Sequence, residues 1–214
     1  MRKGLFITFE GPDGSGKTTQ VHLLYRYLKE QGYPVYLARE PGGTRIGDQI
    51  RAVLHDVRNV EMRPEAEILL YSASRAQLVG QVIRPRLAAG DIVLCDRYAE
   101  STLAYQGYGR QLDLATLQII TRFATGGLRP DLIIYLDIPV EEGLRRRLAA
   151  HQQDGAEWNR MDQETVDFHR RVRAGYLQMA QTEPERWCVL DASQPVDVIQ
   201  QRIREEVLAR LEGA

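Results

Sequence analysis

Residues 11–18 read Gly-Pro-Asp-Gly-Ser-Gly-Lys-Thr, which matches the pattern GxxxxGK[ST] in full. This pattern constrains the fold strongly, because it belongs between a buried strand and a helix whose N-terminus binds phosphate. An apolar run over residues 5–9 precedes it, and a helical pattern begins near Lys17. Glycines let the backbone wrap around a phosphate with its N–H groups directed inward. We therefore predict a phosphate-binding loop formed by Gly11, Pro12, Asp13, Gly14, Ser15, Gly16, Lys17 and Thr18.

Two residues of this loop carry its specific chemistry. Lys17 is placed to reach the β- and γ-phosphates of a nucleoside triphosphate, and the Thr18 hydroxyl is placed to ligate Mg²⁺. ATPases, GTPases and small-molecule kinases all use this loop, so it predicts the ligand and leaves the reaction open. The chain has no NKxD-type segment of the kind that recognises guanine, which argues against a GTPase without excluding one.

Short apolar runs alternate with longer helical patterns along the chain. The runs are apolar on both faces, as expected for parallel strands covered on both sides, and comprise residues 5–9, 35–38, 92–95, 132–136 and 188–190. Helical patterns begin near Lys17, Gly47, Glu65, Ser101, Leu114, Val140 and Glu164, and after Pro195, where Ile199, Ile203 and Val207 form one apolar stripe. This alternation predicts a three-layer α/β/α P-loop NTPase fold with a five-stranded parallel sheet and a helical lid, in a single domain over residues 1–214.

Ligands of such sheets lie beyond the carboxyl ends of the strands, so the residues after each run are the candidate ligand contacts. Arg39 either faces the ligand or is a solvated charge in a turn, and its sequence leaves both open. For Asp96 and Arg97, a carboxylate near Mg²⁺ and a phosphate clamp are favoured over an Asp–Arg surface pair. Asp137, followed by Pro139, is interpreted as an N-cap leading into a helix.

Tyr71 and Arg75 are four residues apart in a helical pattern and therefore share one face. They could stack on and hydrogen-bond a planar base, or form an ordinary surface cation–π pair. On these two residues alone, the surface pair is the preferred interpretation.

Residues 151–160 are polar, contain Gly155 and interrupt two helical patterns. A surface loop and a mobile lid at about residues 145–160 both fit this composition. Arginines flank the segment: Arg145, Arg146, Arg147 and Arg160. An arginine triplet on a helix is usually a solvated face. Phosphoryl transfer, however, needs a cation near the charge that develops on the transferred group, and the phosphate loop contains no arginine. If the chain is a kinase, we expect that cation from this region.

Composition narrows the partners and the compartment. The formal net charge of -1 over 214 residues gives no basic field that would attract nucleic acid or anionic lipid. Cys95 and Cys188 lie in apolar runs without metal-ligand spacing, which fits buried thiols in a reducing cytosol. No stretch approaches the about 20 apolar residues of a membrane span, so we expect no nucleic-acid or membrane partner and a cytoplasmic protein.

Several motifs in one order resemble the bacterial thymidylate kinases over nearly the whole chain. They are residues 9–19, 39–44, Tyr71 with Arg75, 96–98, 101–102, 104–107, 136–139 and 160–162. The resemblance implies transfer of the γ-phosphoryl group of ATP to dTMP, giving dTDP, with ATP, Mg²⁺ and dTMP as ligands and a homodimeric state. Implied catalytic residues are Lys17, Asp13, Arg97, Arg147 and Arg160; implied metal ligands are Thr18 and Asp96.

The resemblance also implies the acceptor contacts. Asp13 would contact the sugar 3′-hydroxyl, while Arg39 and Arg97 would hold the monophosphate. The base and sugar would be lined by Tyr71 stacking on thymine, Arg75 on a carbonyl, Thr102 and Gln106 along the base, and Tyr105 under the 2′ carbon.

The family divides by the position of its catalytic arginine. Some members carry an arginine after the loop acid, but here that position is Gly14, so Arg147 or Arg160 of the lid would supply it. Two rival functions stay open: another nucleoside monophosphate or deoxynucleoside kinase, and a nucleotide-gated regulatory protein that has no monophosphate acceptor.

Overall fold

The computed structural model describes residues 4–155 and 157–212. Residues 1–3 and 213–214 of the predicted domain, and Ala156 of the predicted lid, lie outside the described residues. The strands are β1 (Leu5–Glu10), β2 (Val35–Arg39), β3 (Ile92–Asp96), β4 (Leu132–Asp137) and β5 (Trp187–Asp191). All five predicted runs are therefore strands, and each ends one residue later than its apolar run, on a polar or charged residue.

The strands form a parallel sheet in the order β2-β3-β1-β4-β5. In this register Phe9 lies opposite Asp96, and Arg39 lies opposite the same aspartate on its other side. The carboxyl ends of β2, β3 and β1 consequently lie side by side, which brings together the loops that follow them.

Helices connect the strands across both faces of the sheet. They are α1 (Lys17–Glu30), α2 (Arg45–His55), α3 (Pro64–Leu78), α4 (Arg84–Ala88), α5 (Ala99–Thr102), α6 (Leu114–Thr125), α7 (Val140–Asp154), α8 (Val166–Thr182) and α9 (Val196–Glu212). Two π-helical segments, Val79–Ile83 and Leu103–Gly109, continue α3 and α5, and 3₁₀ turns occupy Arg160–Gln163 and Pro184–Arg186. This architecture confirms the predicted α/β/α class.

Alternate strand residues divide the core between the two faces, as the side-chain period of two requires. Leu5, Ile7 and Phe9 pack with α1 and with the stripe of α9, whereas Phe6 packs on the opposite face with the end of α3. A third cluster joins α8 to the π-helical segment 103–109 below β4. The strands are thus covered on both faces, which explains why their sequences are continuously apolar.

The interruption between helices that was expected over residues 151–160 begins later in the structure. Helix α7 continues to Asp154, and Gly155 ends it in the left-handed conformation with φ 63°. Asn159 then caps the 3₁₀ turn that starts at Arg160. His151, Gln152 and Gln153 are exposed, so their polarity reports a solvated helix end.

Among residues 4–155 and 157–212, the structure has no helix with the length and apolar character needed to cross a bilayer.

Close packing between α8 and the π-helical segment 103–109 gives a stability prediction. A Cβ atom at Gly175 would lie 2.3 Å from the Tyr108 ring and 2.8 Å from Tyr108 Cβ. We expect Gly175→Ala to lower the free energy of unfolding by about 1–3 kcal/mol through overpacking, measured by urea denaturation.

Gly80→Ala is the matched control for that substitution. In the described part of the chain, nothing outside the helix's own backbone lies within 4 Å of a Cβ built at Gly80. The free energy of unfolding of this variant should rise by about 0.5–1 kcal/mol, because alanine has a higher helix propensity than glycine. Equal losses in both variants would contradict the assigned packing.

Candidate active site

The loop between β1 and α1 has the backbone that its glycines predict. Gly11, Gly14 and Gly16 all have positive φ, at 145°, 79° and 87°. At Gly14 a Cβ atom would lie 2.1 Å from the carbonyl oxygen of Gly143. A side chain at this position is therefore excluded by both backbone conformation and space, so the loop itself cannot carry an arginine here.

Lys17 lies inside the loop and is 6% exposed. Its Nζ donates hydrogen bonds to the carbonyl oxygens of Gly11 at 2.9 Å and Pro12 at 2.8 Å. Burial lowers the pKa of Lys17 to about 8, and Arg97 adds to this shift while Asp13 opposes it. The ammonium is thus held at the phosphate loop by carbonyl acceptors that a phosphate group can replace.

Thr18 and Asp96 come together as predicted for a magnesium site. The Thr18 hydroxyl donates to Asp96 Oδ2 at 2.7 Å, at the end of β3. No group of three or more His, Cys, Asp or Glu suited to a metal occurs among residues 4–155 and 157–212. Mg²⁺ typically takes one or two protein oxygens and completes its shell with water and phosphate, so this pair fits the ion.

Arg97 turns away from its neighbour Asp96 and pairs with the phosphate loop. Its Nη2 lies 2.7 Å from Asp13 Oδ1 and donates to the Tyr105 hydroxyl at 3.1 Å. The alternative of an Asp96–Arg97 surface pair is therefore wrong. Burial alone would raise the pKa of Asp13, but Arg97 and Lys17 hold it well below its usual range. Asp13 is consequently a stable carboxylate.

A buried glutamate supports this arginine. Glu10, the last residue of β1, accepts hydrogen bonds from the Tyr98 amide at 2.7 Å, the Ser101 hydroxyl at 2.6 Å and the Tyr176 hydroxyl at 2.8 Å. Arg97 Nη1 in turn donates to Ser101 Oγ at 3.1 Å. Burial raises the pKa of Glu10. The sequence signal was a charged residue ending an apolar strand directly before the glycine loop, but no role was assigned to it.

Arg75 is 2% exposed, so the preferred interpretation of a surface cation–π pair with Tyr71 is wrong. Its guanidinium donates to Glu40 at 2.8 Å, Thr102 Oγ1 at 2.8 Å and the Tyr98 carbonyl at 2.9 Å. The shared helix face indicated by the spacing is real, but it is turned inward, where both side chains line one crevice.

Gln106 is held by another buried carboxylate that the sequence did not reveal. The Gln106 amide nitrogen donates to Glu67 Oε1 at 2.8 Å, and Arg110 binds both oxygens of Glu67 at 2.9 and 3.0 Å. Arg160 also pairs with Glu67 and donates to the Leu54 carbonyl at 3.3 Å. Arg160 is 8% exposed, and these contacts hold its guanidinium within the buried cluster around Glu67.

The arginines at positions 145–147, in the predicted lid, have different environments. Arg147 pairs with Asp162 through two hydrogen bonds at 2.7 and 2.8 Å and lines the crevice. Arg145 and Arg146 both pair with Glu142, as expected of a solvated helix face. Arg146 is half-buried and also donates to the Ala192 carbonyl at 3.0 Å, so within the triplet Arg145 is solvated and Arg147 faces the candidate site.

Asp137 is not the helix N-cap that the sequence indicated. Both of its oxygens accept hydrogen bonds from Arg173, each at 2.7 Å, and Pro139 occupies the N-cap position of α7 without a side-chain bond. The partner on α8 is 36 residues distant, which local sequence cannot show.

These side chains enclose a crevice of about 220 Å³ at the carboxyl ends of β1, β2 and β3. Predicted residues that line it are Asp13, Arg39, Tyr71, Arg75, Asp96, Arg97, Thr102, Tyr105, Gln106 and Arg147. The crevice is also lined by residues to which the sequence assigned no individual role, namely Glu40, Pro41, Arg51, His55, Ser101, Glu157, Asn159 and Met161. Arg39 lies at its edge and pairs with Asp48 at 3.1 Å.

The glycine loop with its lysine, the sheet order and the adjoining polar crevice define a P-loop nucleotide-binding protein. A family model described as Thymidylate kinase matches residues 9–203. The chain is 57% identical to a thymidylate kinase of Roseiflexus sp. (strain RS-1), covering 93% of this chain and 91% of the relative. It is 51% identical to a thymidylate kinase of Geotalea uraniireducens (strain Rf4), covering 97% and 98%.

A solved structure agrees with these relatives. The crystal structure of thymidylate kinase from Ehrlichia chaffeensis has a TM-score of 0.76 and 32% sequence identity, covering 96% of this chain and 98% of that one. The chain belongs to the thymidylate kinase family.

Proposed function

We propose that the chain transfers the γ-phosphoryl group of ATP to dTMP, giving dTDP and ADP. Family membership makes it a nucleoside monophosphate kinase. The observation that carries the proposal is the Asp13–Arg97 pair, 2.7 Å apart, which supports an acceptor site directly beside the phosphate loop. A nucleotide switch has no need of such a second polar site.

The donor phosphates lie along the loop amides and the α1 N-terminus, where Lys17 neutralises the β- and γ-phosphates. Thr18 and Asp96 would hold Mg²⁺, which would supply positive charge at the transferred group. No strong general base is needed, because the attacking oxygen of a nucleoside monophosphate is already anionic. Positioning and charge neutralisation by the chain supply most of the catalysis.

The acceptor occupies the crevice with its phosphate toward Arg97 and Arg39. Asp13, held as a carboxylate, accepts a hydrogen bond from the sugar 3′-hydroxyl. The Tyr105 hydroxyl donates to Asp13 at 3.2 Å, and this contact supports a position of the ring beneath the 2′ carbon. A ribose 2′-hydroxyl would meet the ring, and the lost contacts cost about 1–3 kcal/mol.

Arg147 is the lid arginine that we assign to the transferred phosphate. It lines the crevice, and Asp162 orients its guanidinium. Arg160 is better described as structural, since Glu67 and the Leu54 carbonyl engage it inside the protein. Helix α7 carries Arg147 on the side that faces the crevice.

A coupled assay of ADP formation tests the reaction directly. With ATP and Mg²⁺, we expect strong turnover of dTMP, weaker turnover of dUMP and negligible turnover of UMP. Lys17→Ala should lose turnover by a factor on the order of 100 or more, because the principal cation at the donor phosphates is removed. Equal ADP formation without any acceptor would be compatible with nucleotide binding but would contradict the kinase function.

Replacement of Arg147 separates the two lid candidates. We expect Arg147→Ala to lower kcat by a factor on the order of 100 to 1,000 with a smaller effect on KM, because the contact is made mainly in the transition state. Arg145→Ala is the matched control, since this neighbouring arginine pairs with Glu142 at the surface, and it should retain nearly full kcat. A near-normal kcat for Arg147→Ala would contradict the assignment of Arg147 to the transferred phosphate.

A homodimer is the proposed assembly, and exposed apolar residues on α3 and α6 support it. Phe123 is 89% exposed, Ile119 72% and Leu69 58%, on two helices that pack against each other. Exposed apolar patches of this kind characterise association surfaces. A cytoplasmic location remains a prediction of the sequence.

Sedimentation or light scattering tests the assembly. Phe123→Glu should shift the mass from dimer to monomer, because a desolvated carboxylate opposes burial of this patch. Val198→Glu, a comparable change at a 44% exposed residue of α9 on the other face of the sheet, should leave the dimer intact. A wild-type protein that is monomeric at micromolar concentration would contradict the proposal.

A further inference from the structure

The orientation of the Gln106 amide is determined by its neighbour. Gln106 and Glu67 are 2% and 1% exposed, and the amide nitrogen of Gln106 lies 2.8 Å from Glu67 Oε1. An ionised carboxylate can only accept hydrogen bonds, so the nitrogen of the amide must face it. The carbonyl oxygen of Gln106 is therefore the group that this residue offers to a ligand in the crevice.

Glu67 is well suited to impose that orientation. Arg110 contacts both of its oxygens, and Arg160 pairs with it from the lid side. Burial alone would raise the pKa of Glu67, but these arginines hold it below its usual range. A flipped Gln106 amide would place its carbonyl against the carboxylate, and two buried acceptors in contact are strongly unfavourable.

Arg75 provides the opposite hydrogen-bonding character in the same crevice. A guanidinium can only donate, and Arg75 is fixed by Glu40, Thr102 and the Tyr98 carbonyl. The base side of the crevice therefore offers a donor from Arg75 and an acceptor from Gln106. A pyrimidine with a 4-oxo group and an N3–H matches this order, whereas a 4-amino pyrimidine presents a donor and then an acceptor, which reverses it.

We propose that Glu67 is a positioning residue for base selection: by locking the Gln106 amide, it makes the crevice select 4-oxo over 4-amino pyrimidine nucleotides. The proposal rests on the proposed function to the extent that the crevice is the monophosphate site. Glu67 acts through Gln106 and does not itself touch the base.

The ligand pair dTMP and 5-methyl-dCMP isolates this effect, because the two share phosphate, sugar and methyl group and differ only along the 3,4 edge of the base. Calorimetric binding to the wild-type protein should favour dTMP by a factor on the order of 100 or more. In Glu67→Gln the new amide can accept or donate, which frees Gln106 to turn. We expect the preference to fall at least about tenfold, mainly through tighter binding of 5-methyl-dCMP.

Arg110→Gln is the matched control. It removes a cation from the same buried cluster but leaves the Gln106–Glu67 hydrogen bond, so it should preserve the preference. Glu67→Asp is a second variant in case Glu67→Gln does not fold: it retains the charge for the arginines but withdraws the carboxylate from Gln106. In a Gln106→Leu background, Glu67→Gln should change the preference no further.

The outcomes separate the inference from the proposed function. An unchanged preference in the Glu67 variants, or an equal fall in Arg110→Gln, overturns the positioning role. Selective binding of dTMP that responds to Glu67 but yields no dTDP would sustain the inference and overturn the kinase reaction. Turnover of dTMP with a preference indifferent to Glu67 would do the reverse.

Discussion

The ion pair between Asp13 and Arg97 joins the phosphate loop to the neighbouring crevice. Most of the geometry of the candidate site depends on this pair. The partners are 84 residues apart in sequence and meet because β1 and β3 are neighbours, with Phe9 opposite Asp96. Arg97 adopts a positive φ of 72°, which is uncommon for a residue with a side chain. This conformation turns its guanidinium toward the phosphate loop, while Asp96 stays with Thr18.

Three buried carboxylates hold the ligand-facing side chains in place. Glu10 supports Arg97 through Ser101, Glu40 binds Arg75, and Glu67 binds Gln106. Each carboxylate is nearly withdrawn from solvent, where a lost partner would leave an uncompensated buried group. The crevice is therefore built on a polar network that keeps its donors and acceptors oriented before a ligand arrives.

Local patterns predicted the strands well, because parallel strands buried on both faces must be continuously apolar. Positions directly after buried strands favoured Asp96 and Arg97 as ligand contacts, whereas the sequence left the role of Arg39 open. Spacing also put Tyr71 and Arg75 on one face, but a helical period does not tell whether that face is turned toward solvent. The N-cap interpretation of Asp137 was wrong for a related reason, since its partner Arg173 comes from a separate helix.

The sequence by itself determined the phosphate loop, because its glycines fix the backbone locally and its lysine and threonine follow at a set spacing. It also determined the order of strands and helices through their apolar periods. Only the tertiary structure decided that Arg147 faces the crevice while Arg160 is engaged by Glu67, and that the Gln106 amide points one way. These outcomes depend on partners brought from distant elements, and a hydrogen bond's direction is set by the partner it finds.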